Sequence, residues 1–204
     1  MNMAELLAIA YLLGSIPTGL ILARIKGIDI RKSGSGNIGF TNVMRVAGKD
    51  RTGKLIGLFT LLGDMGKGAL AVRISLHQGS EWAPALAGLA VFLGHIFSFW
   101  LRGRGGKGVA TGLGISLGIN PALGALVCLP WVLIFIATRT SSLASLGSFA
   151  LMPIIAILWQ HLVPNPQMLL PPHTIPLFFL MALLVFFRHK DNISRLRKGE
   201  ESKI

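Results

Sequence analysis

Residues 84–101 are PALAGLAVFLGHIFSFWL, and the basic stretch RGRGGKG follows directly at residues 102–108. In the first stretch the only ionisable side chain is that of His95. Such a stretch is typical of a helix that crosses the hydrocarbon core of a bilayer, which takes about 20 residues. The rest of the chain agrees, because 52% of its 204 residues are hydrophobic and only 14% are charged. The sequence therefore predicts an all-α protein, a polytopic membrane helix bundle.

Six further apolar segments accompany this one. In chain order the seven predicted transmembrane helices are residues 4–23, 54–72, 84–101, 109–119, 122–137, 143–162 and 174–187. Segment 109–119 is short, and it crosses only if it extends into the preceding loop or if the bilayer thins. The longest polar stretch, residues 24–54, is too short for a separate soluble domain. We therefore expect one membrane domain over residues 1–204, with segment 4–23 retained because it lacks the features of a cleaved signal peptide.

The distribution of basic residues predicts the orientation. If all seven segments cross, one face of the membrane carries residues 24–53, 102–108, 138–142 and 188–204. Together with Lys54, these stretches hold 18 of the 20 Lys and Arg residues. The positive-inside rule then places this face in the cytoplasm, the N-terminus outside and the C-terminus inside. We predict a multi-pass protein of the bacterial cytoplasmic (inner) membrane, whose net charge of +12 needs no nucleic-acid partner.

The first polar motif is residues 33–45, SGSGNIGFTNVMR. Gly34 and Gly36 let backbone N–H groups approach a ligand closely, and an arginine fork at Arg45 suits a phosphate. Neutral polar side chains come from Ser35, Asn37, Thr41 and Asn42. The alternative is a flexible linker, but Gly/Ser linkers rarely combine two asparagines, a threonine and an arginine. The motif therefore predicts an anion site on the cytoplasmic face.

The second polar motif lies at residues 102–112, after the pair Gly94-His95. Gly105, Gly106 and Lys107 lead into a predicted helix, so they offer backbone donors, a helix N-terminus and a point charge for a phosphate. The spacing is not that of a Walker A loop. The alternative is a basic anchor that only fixes topology, although such an anchor would not need so many glycines.

The third polar motif is residues 188–201, in which His189 and Asn192 are three apart and would share a helix face. The alternative is an ordinary basic tail that attracts anionic lipid headgroups. Within a predicted span, Asp64 and Lys67 either pair with each other or serve function. Cys128 is the only cysteine, so neither a disulfide framework nor a metal site is expected.

Together these motifs resemble those of the bacterial acyl-phosphate:glycerol-3-phosphate acyltransferases, a family of small integral membrane enzymes. The matching stretches are residues 14–19, 33–45, 94–95, 105–111, 138–139, 142–145 and 189–201. Two departures are Phe40, where the family usually has alanine, and residues 100–104, which replace a Phe-x-x-Phe approach to the glycine loop. The resemblance implies transfer of a fatty acyl group from acyl phosphate to the sn-1 hydroxyl of glycerol 3-phosphate, giving lysophosphatidate.

This activity needs no cofactor, and its partners are acyl phosphate, glycerol 3-phosphate and membrane lipid, with no oligomer required. We expect Ser35, Asn37, Thr41 and the backbone N–H groups of residues 34–39 to cradle a phosphate. The resemblance implies that glycerol 3-phosphate is held by Arg45, Lys107, Ser142, His189 and Asn192. The expected catalytic residues are Ser35, Lys107 and His189. The expected substrate-binding residues are Gly34, Gly36, Asn37, Thr41, Asn42, Arg45, His95, Gly105, Gly106, Ser142 and Asn192.

The proton acceptor stays open between His95, His189 and a substrate phosphate oxygen. The family resemblance favours the phosphate, because the sequence shows no obvious Ser-His-Asp triad or carboxylate pair. A transporter of anionic solutes is the main competing function class. It would be expected to show internal repeats or several polar residues near the bilayer midplane, and the sequence offers chiefly Asp64 and Lys67.

Overall fold

A computed structural model describes residues 1–48, 50–165 and 168–203, and the regular elements in these ranges are all helical. In chain order the α-helices are α1 Met3–Ser15, α2 Thr18–Arg24, α3 Phe40–Val46, α4 Arg51–Ser75, α5 Ala83–Ile96, α6 Val109–Ile119, α7 Pro121–Thr138, α8 Ser141–Leu162, α9 Thr174–Arg188 and α10 Lys190–Lys198. Single 3-10 turns lie at Ile30–Lys32 and Phe99–Leu101. The prediction of an all-α bundle is confirmed.

The predicted apolar segments are all helical, but two of them are not continuous α-helices. Segment 4–23 is broken between α1 and α2 at Ile16 and Pro17, because proline has no N–H to continue the helical ladder. Segment 84–101 leaves the α-helix after Ile96 and ends in the second 3-10 turn. Each segment nevertheless remains one candidate span, Met3–Arg24 and Ala83–Leu101, with this irregularity inside it.

Five stretches in the described residues are long and apolar enough to cross a membrane. They are Met3–Arg24, Arg51–Ser75, Ala83–Leu101, Pro121–Thr138 and Ser141–Leu162. The helices α6 and α9 are apolar but shorter, with 11 and 15 residues. The crossing of these two helices, and with it the count of seven, stays a prediction.

Helix α6 is short because it lies inside the bundle. Eight of its 11 residues are buried, and it packs against α4, α5 and α7. Its Gly114 lies directly on the backbone of α4, where a Cβ atom would collide with the carbonyl oxygen of Met65. Small residues of this kind let membrane helices approach closely. A helix surrounded by protein does not have to match the thickness of the hydrocarbon core by itself.

Large apolar side chains cover the outer surface of the bundle. Leu133 and Ile136 on α7 are 56% and 61% exposed, and Leu183 on α9 is 69% exposed. Similar side chains lie on the outer faces of α1, α4 and α8. Soluble proteins rarely expose apolar surface on this scale, whereas lipid tails cover it without cost. The surface is that of a membrane-embedded bundle.

A second, smaller apolar core lies beneath the polar loop between α2 and α4. Leu20, Ile30, Ile38, Val43 and Ile56 are its largest members, and each is less than 7% exposed. This core holds the glycine-rich motif and α3 against α2 and α4. The motif of residues 33–45 is therefore an ordered part of the fold, and the linker alternative does not describe it.

Candidate active site

A cavity of about 230 Å³ gathers the three polar motifs. Its polar wall comes from the loop before α3, the loop before α6, the start of α8, and α10 with the tail that follows it. The polar lining residues are Ser35, Asn37, Thr41, Asn42, Arg45, Asp64, His95, Lys107, Ser141, Ser142, Ser145, His189, Asn192, Arg195, Glu201 and Ser202. All of the predicted site residues are therefore brought together here except Gly34, Gly36, Gly105 and Gly106.

The opposite wall of the cavity is apolar and lies between membrane helices. It is formed by Leu61 and Met65 on α4, Leu113 on α6, and Trp131 and Val132 on α7. The indole N–H of Trp131 is satisfied by Ser145 Oγ at 3.2 Å. A molecule with an anionic head and a hydrocarbon tail matches both walls at once.

Lys107 is part of the polar wall. Its Nζ donates a hydrogen bond to Asn192 Oδ1. Burial lowers the pKa of Lys107 from 10.5 to about 8, and the nearby carboxylate of Glu201 opposes this shift. The side chain is therefore mostly charged at neutral pH. Among the described residues, no carboxylate is bonded directly to the Nζ of Lys107.

Glu201 connects the α10 tail to the rest of the site. Its Oε1 accepts hydrogen bonds from Ser142 Oγ at 2.8 Å and from Asn192 Nδ2 at 2.6 Å, and its Oε2 accepts one from Arg195 Nε at 2.7 Å. A left-handed turn at Gly199 reverses the chain after α10 and makes this contact reachable. Although burial opposes ionisation, these three donors hold the pKa of Glu201 below its usual value.

His189 sits at the junction of α9 and α10. Its Nδ1 lies 2.8 Å from the carbonyl oxygen of Val185, which can only accept, so Nδ1 carries the proton and Nε2 is left with a lone pair. Burial, followed by the positive charge of Lys107, lowers the pKa of His189 to about 4. The imidazole is therefore neutral at physiological pH and is a weak base.

A buried ion pair inside the bundle borders the cavity through Asp64. Lys67 Nζ is 2.8 Å from Asp64 Oδ1 and also donates to the carbonyl oxygen of Ile16 at 3.1 Å. Both side chains are almost fully buried. His95 stands next to them, with its Nδ1 3.0 Å from Thr111 Oγ1. The pairing alternative for Asp64 and Lys67 is confirmed.

The glycines of the second motif do not offer their backbone donors to a ligand. The N–H groups of Gly105 and Gly106 already donate to the carbonyl oxygens of Ile96 and His95, at 3.0 and 2.9 Å. The expectation of free donors there was wrong, because the loop folds back on the end of α5. A Cβ at Gly106 would collide with His95 Nε2, so this glycine allows the loop to lie on the imidazole.

The expectation of free hydrogen-bonding groups in the first motif, residues 33–45, needs a similar correction. Asn42 is 1% exposed, and its Oδ1 accepts the N–H of Ser35 at 2.8 Å. Its Nδ2 faces the carbonyl oxygens of Ile30, Ser33 and Asn37 at 2.9–3.1 Å. The N–H of Gly36 is likewise bonded, to Ser33 O at 3.1 Å. Asn42 therefore borders the cavity but uses its hydrogen bonds to hold the loop in shape, while Ser35, Asn37 and Thr41 line the cavity beside it.

Sequence reasoning missed several residues of the site. Glu201 and Arg195 lay inside the third motif but carried no expected role. Ser141 belongs to the loop 138–142, which the sequence placed on the same face, and its Oγ is 2.8 Å from Thr41 Oγ1. Ser202 accepts a hydrogen bond from Arg45 Nη2 at 3.1 Å. A carboxylate within a polar motif that matches the family pattern was the available signal for Glu201. Its partners depend on the chain reversal after α10, which the sequence did not reveal.

The sequence model described as glycerol-3-phosphate acyltransferase matches residues 4–199 of the chain. The chain belongs to this family. The family's enzyme from Geobacter sulfurreducens is 42% identical over 207 residues, which cover 100% of this chain and 98% of that protein. The one from Geotalea daltonii is 46% identical over 195 residues, which cover 95% and 93% of the two chains.

Solved structures of the family share this fold. The crystal structure of PlsY (YgiH), an integral membrane glycerol 3-phosphate acyltransferase, in its glycerol 3-phosphate form gives a TM-score of 0.86 at 33% identity. The match covers 99% of this chain and 95% of that chain. Its lysophosphatidic acid form gives a TM-score of 0.84 at 32% identity. The family resemblance is confirmed, and this member is a multi-pass bacterial membrane acyltransferase.

Proposed function

We propose that the chain transfers a fatty acyl group from acyl phosphate to the sn-1 hydroxyl of glycerol 3-phosphate. The products are lysophosphatidate and inorganic phosphate. The observation that carries the proposal is one cavity whose cationic, amide- and hydroxyl-lined wall faces an apolar wall between membrane helices. Family membership supports glycerol 3-phosphate as the acyl acceptor, because the relatives are named for it. The choice of acyl phosphate as donor rests on the motif resemblance and on this two-sided cavity.

The polar wall has the groups needed to hold two phosphates. Arg45 and Lys107 supply positive charge, and Ser35, Asn37 and Thr41 supply neutral hydrogen bonds. An activated acyl donor requires little more than two things from the site. The site has to position the two anions and to stabilise the charge that develops on the donor's carbonyl oxygen. In this proposal the acyl tail lies along the apolar wall while the reacting groups meet beside Lys107.

The proton of the attacking hydroxyl goes to the departing phosphate. The hydroxyl oxygen bonds to the acyl carbon, the bond from that carbon to the bridging phosphate oxygen breaks, and the phosphate leaves with the proton as inorganic phosphate. His189 is a poor competitor for this proton, because its pKa is lowered to about 4. Its Nε2 lone pair instead accepts a hydrogen bond that orients a substrate hydroxyl.

The membrane topology of the proposal keeps all seven crossings, with the N-terminus outside and the C-terminus in the cytoplasm. In this arrangement the cavity opens at the cytoplasmic face of the inner membrane, where glycerol 3-phosphate would reach it. The proposal requires no oligomer, since the cavity wall described above comes from one chain. Single cysteines are placed at Ser80 and at Ser202 in a C128S background. Whether a membrane-impermeant maleimide reaches each cysteine tests on which side of the membrane that residue lies.

The activity is tested with purified chain in neutral detergent, palmitoyl phosphate and labelled glycerol 3-phosphate, with no thioester present. We expect labelled lysophosphatidate carrying the acyl group at the sn-1 position. Formation of product only when palmitoyl-CoA or an acyl carrier protein is added would overturn the choice of donor. Labelling at the second hydroxyl would overturn the choice of acceptor position.

A further inference from the structure

A second, larger cleft lies beside the candidate active site. Its volume is about 970 Å³, and Ser35, Asn37 and Lys107 line both spaces. The rest of its wall comes from the first 3-10 turn, the loop after α5 and the junction of α9 with α10. We call this space the basic cleft, after the lining residues Arg31, Lys32, Arg102, Arg104, Arg188 and Lys190.

The basic cleft has a large excess of positive charge. Among the described residues that line it, Asp191 is the only acidic one. Arg31 is paired with Asp29 at 2.6 Å, and Arg188 donates to the carbonyl oxygens of Gly105 and Gly106. Four other cations make no side-chain hydrogen bond or ion pair within residues 1–48, 50–165 and 168–203. These are Lys32, Arg102, Arg104 and Lys190.

The backbone presents one of these cations in an unusual way. Arg102 has φ 51° and ψ 47°, the left-handed conformation that side chains other than Asn and Asp rarely adopt. It is exposed, and Arg104 two residues later is exposed as well. A topology anchor needs only the charge, whereas both of these arginines line a concave space. A concave surface with unpaired arginines suits an anionic ligand.

The rim of the basic cleft is apolar and lies where two apolar helices end. Trp100 and Leu101 close the stretch Ala83–Leu101, and Phe187 is next to the last residue of α9. Trp100 is 57% exposed and Phe187 62% exposed. Exposed aromatic side chains at the end of a span are typical of the membrane–water interface. The cleft therefore stands at the depth of lipid headgroups.

We propose that the basic cleft binds the phosphate headgroup of an acidic phospholipid, with the lipid tails along Trp100 and Phe187. The free arginines and lysines of the cleft neutralise the headgroup, and the aromatic rim faces the lipid tails. A bound acidic lipid also neutralises the cations around the approach to Lys107. The inference rests on the membrane-embedded fold and does not depend on which acyl donor the active site uses.

Lipid binding is measured by native mass spectrometry of the purified chain in neutral detergent, titrated with dioleoyl phosphatidylglycerol or dioleoyl phosphatidylcholine. We expect clear preference for phosphatidylglycerol. The R102Q/R104Q variant should bind phosphatidylglycerol about 30-fold more weakly, ~2 kcal/mol, since each basic residue near an anionic surface contributes about 1 kcal/mol. The R102K/R104K variant should retain the preference, because it keeps both charges.

The matched control is R197Q/K198Q, which removes the same two charges from the exposed end of α10, outside the cleft. We expect its affinity for phosphatidylglycerol to stay within about twofold of the unmodified chain. Equal binding of the two lipids, or equal losses in both double Gln variants, would overturn the proposal. If R102Q/R104Q raises KM for glycerol 3-phosphate without changing lipid affinity, the cleft serves the soluble phosphate and the proposal is wrong.

Discussion

Removal of the Lys107 ammonium tests the proposed chemistry most directly. Lys107→Met keeps the length and apolar stem of the side chain and deletes its charge. In the folded chain Nζ bonds to Asn192 and borders the cavity next to Ser35 and Arg45. No second lysine lines this cavity among the described residues. In this variant, a substrate phosphate in the cavity is therefore neutralised by one positive charge fewer.

The expected size of the effect follows from the geometry. An ammonium about 4 Å from one phosphate charge contributes ~4 kcal/mol at an effective dielectric constant of about 20. Part of this is offset because Lys107 must give up its bond to Asn192. A net loss of about 3 kcal/mol corresponds to a decrease of roughly 100-fold in kcat/KM. The same residue sets a pH dependence, because its charge is present below its pKa of about 8 and lost above it.

The assay is turnover of palmitoyl phosphate and glycerol 3-phosphate between pH 6 and pH 9.5, corrected for spontaneous hydrolysis of the donor. The kcat/KM of the unmodified chain should fall as the pH rises through about 8. Lys107→Arg should lose this fall, because its guanidinium stays protonated. Lys198→Met, at the exposed end of α10, is the control and should behave as the unmodified chain. A Lys107→Met variant within about threefold of the unmodified kcat/KM would refute the reasoning.

Three further substitutions test the supports of the site, each by thermal unfolding in detergent and by turnover. Gly106→Ala should cost about 1–3 kcal/mol of stability, because the new Cβ would overlap the imidazole of His95. Gly66→Ala is the control and should leave stability unchanged, since a Cβ there would have no atom within 4 Å. Equal unfolding temperatures of the two variants would contradict this prediction. Glu201→Ala should lower the unfolding temperature, since it leaves three hydrogen-bond donors without their acceptor. It should also lower KM for glycerol 3-phosphate by about tenfold, because the substrate phosphate no longer competes with this carboxylate, and Glu201→Gln should lie between the Ala variant and the unmodified chain. Asp64→Asn should cost about 3–5 kcal/mol by leaving Lys67 charged and unpaired, and D64N/K67M should recover most of it. Failure of the double variant to recover would mean that the pair does not act as a unit.

The sequence predicted the apolar helices of the fold well, because a long run of apolar residues indicates where a helix can cross the bilayer. It did not predict the break at Ile16 and Pro17, since proline is tolerated inside many membrane helices and only the surrounding packing decides the outcome. It also could not explain why α6 is short. The explanation is burial against α4, α5 and α7, a long-range property that no local pattern encodes.

The side chains of the site were easier to predict than its backbone. Ser35, Thr41, Lys107 and His189 could be selected because their chemistry suits phosphate and they fall on one predicted face. Which N–H groups remain free depends on the path of each loop, so the glycines of residues 105–106 were misjudged. Their amides bond back to the end of α5, whereas the side chain of Lys107 bonds to Asn192.

Glu201 explains how polar donors of the site are satisfied within the chain itself. Its carboxylate occupies the donors of Ser142 and Asn192, two residues that the family resemblance assigns to glycerol 3-phosphate. A phosphate entering this wall offers the same kind of acceptor, so it competes with Glu201 for those donors rather than filling unpaired ones. Buried donors left without acceptors would be costly, and the internal carboxylate avoids that cost between turnovers. Because the carboxylate arrives on a tail that reverses at Gly199, substrate affinity should depend on how readily that tail moves away.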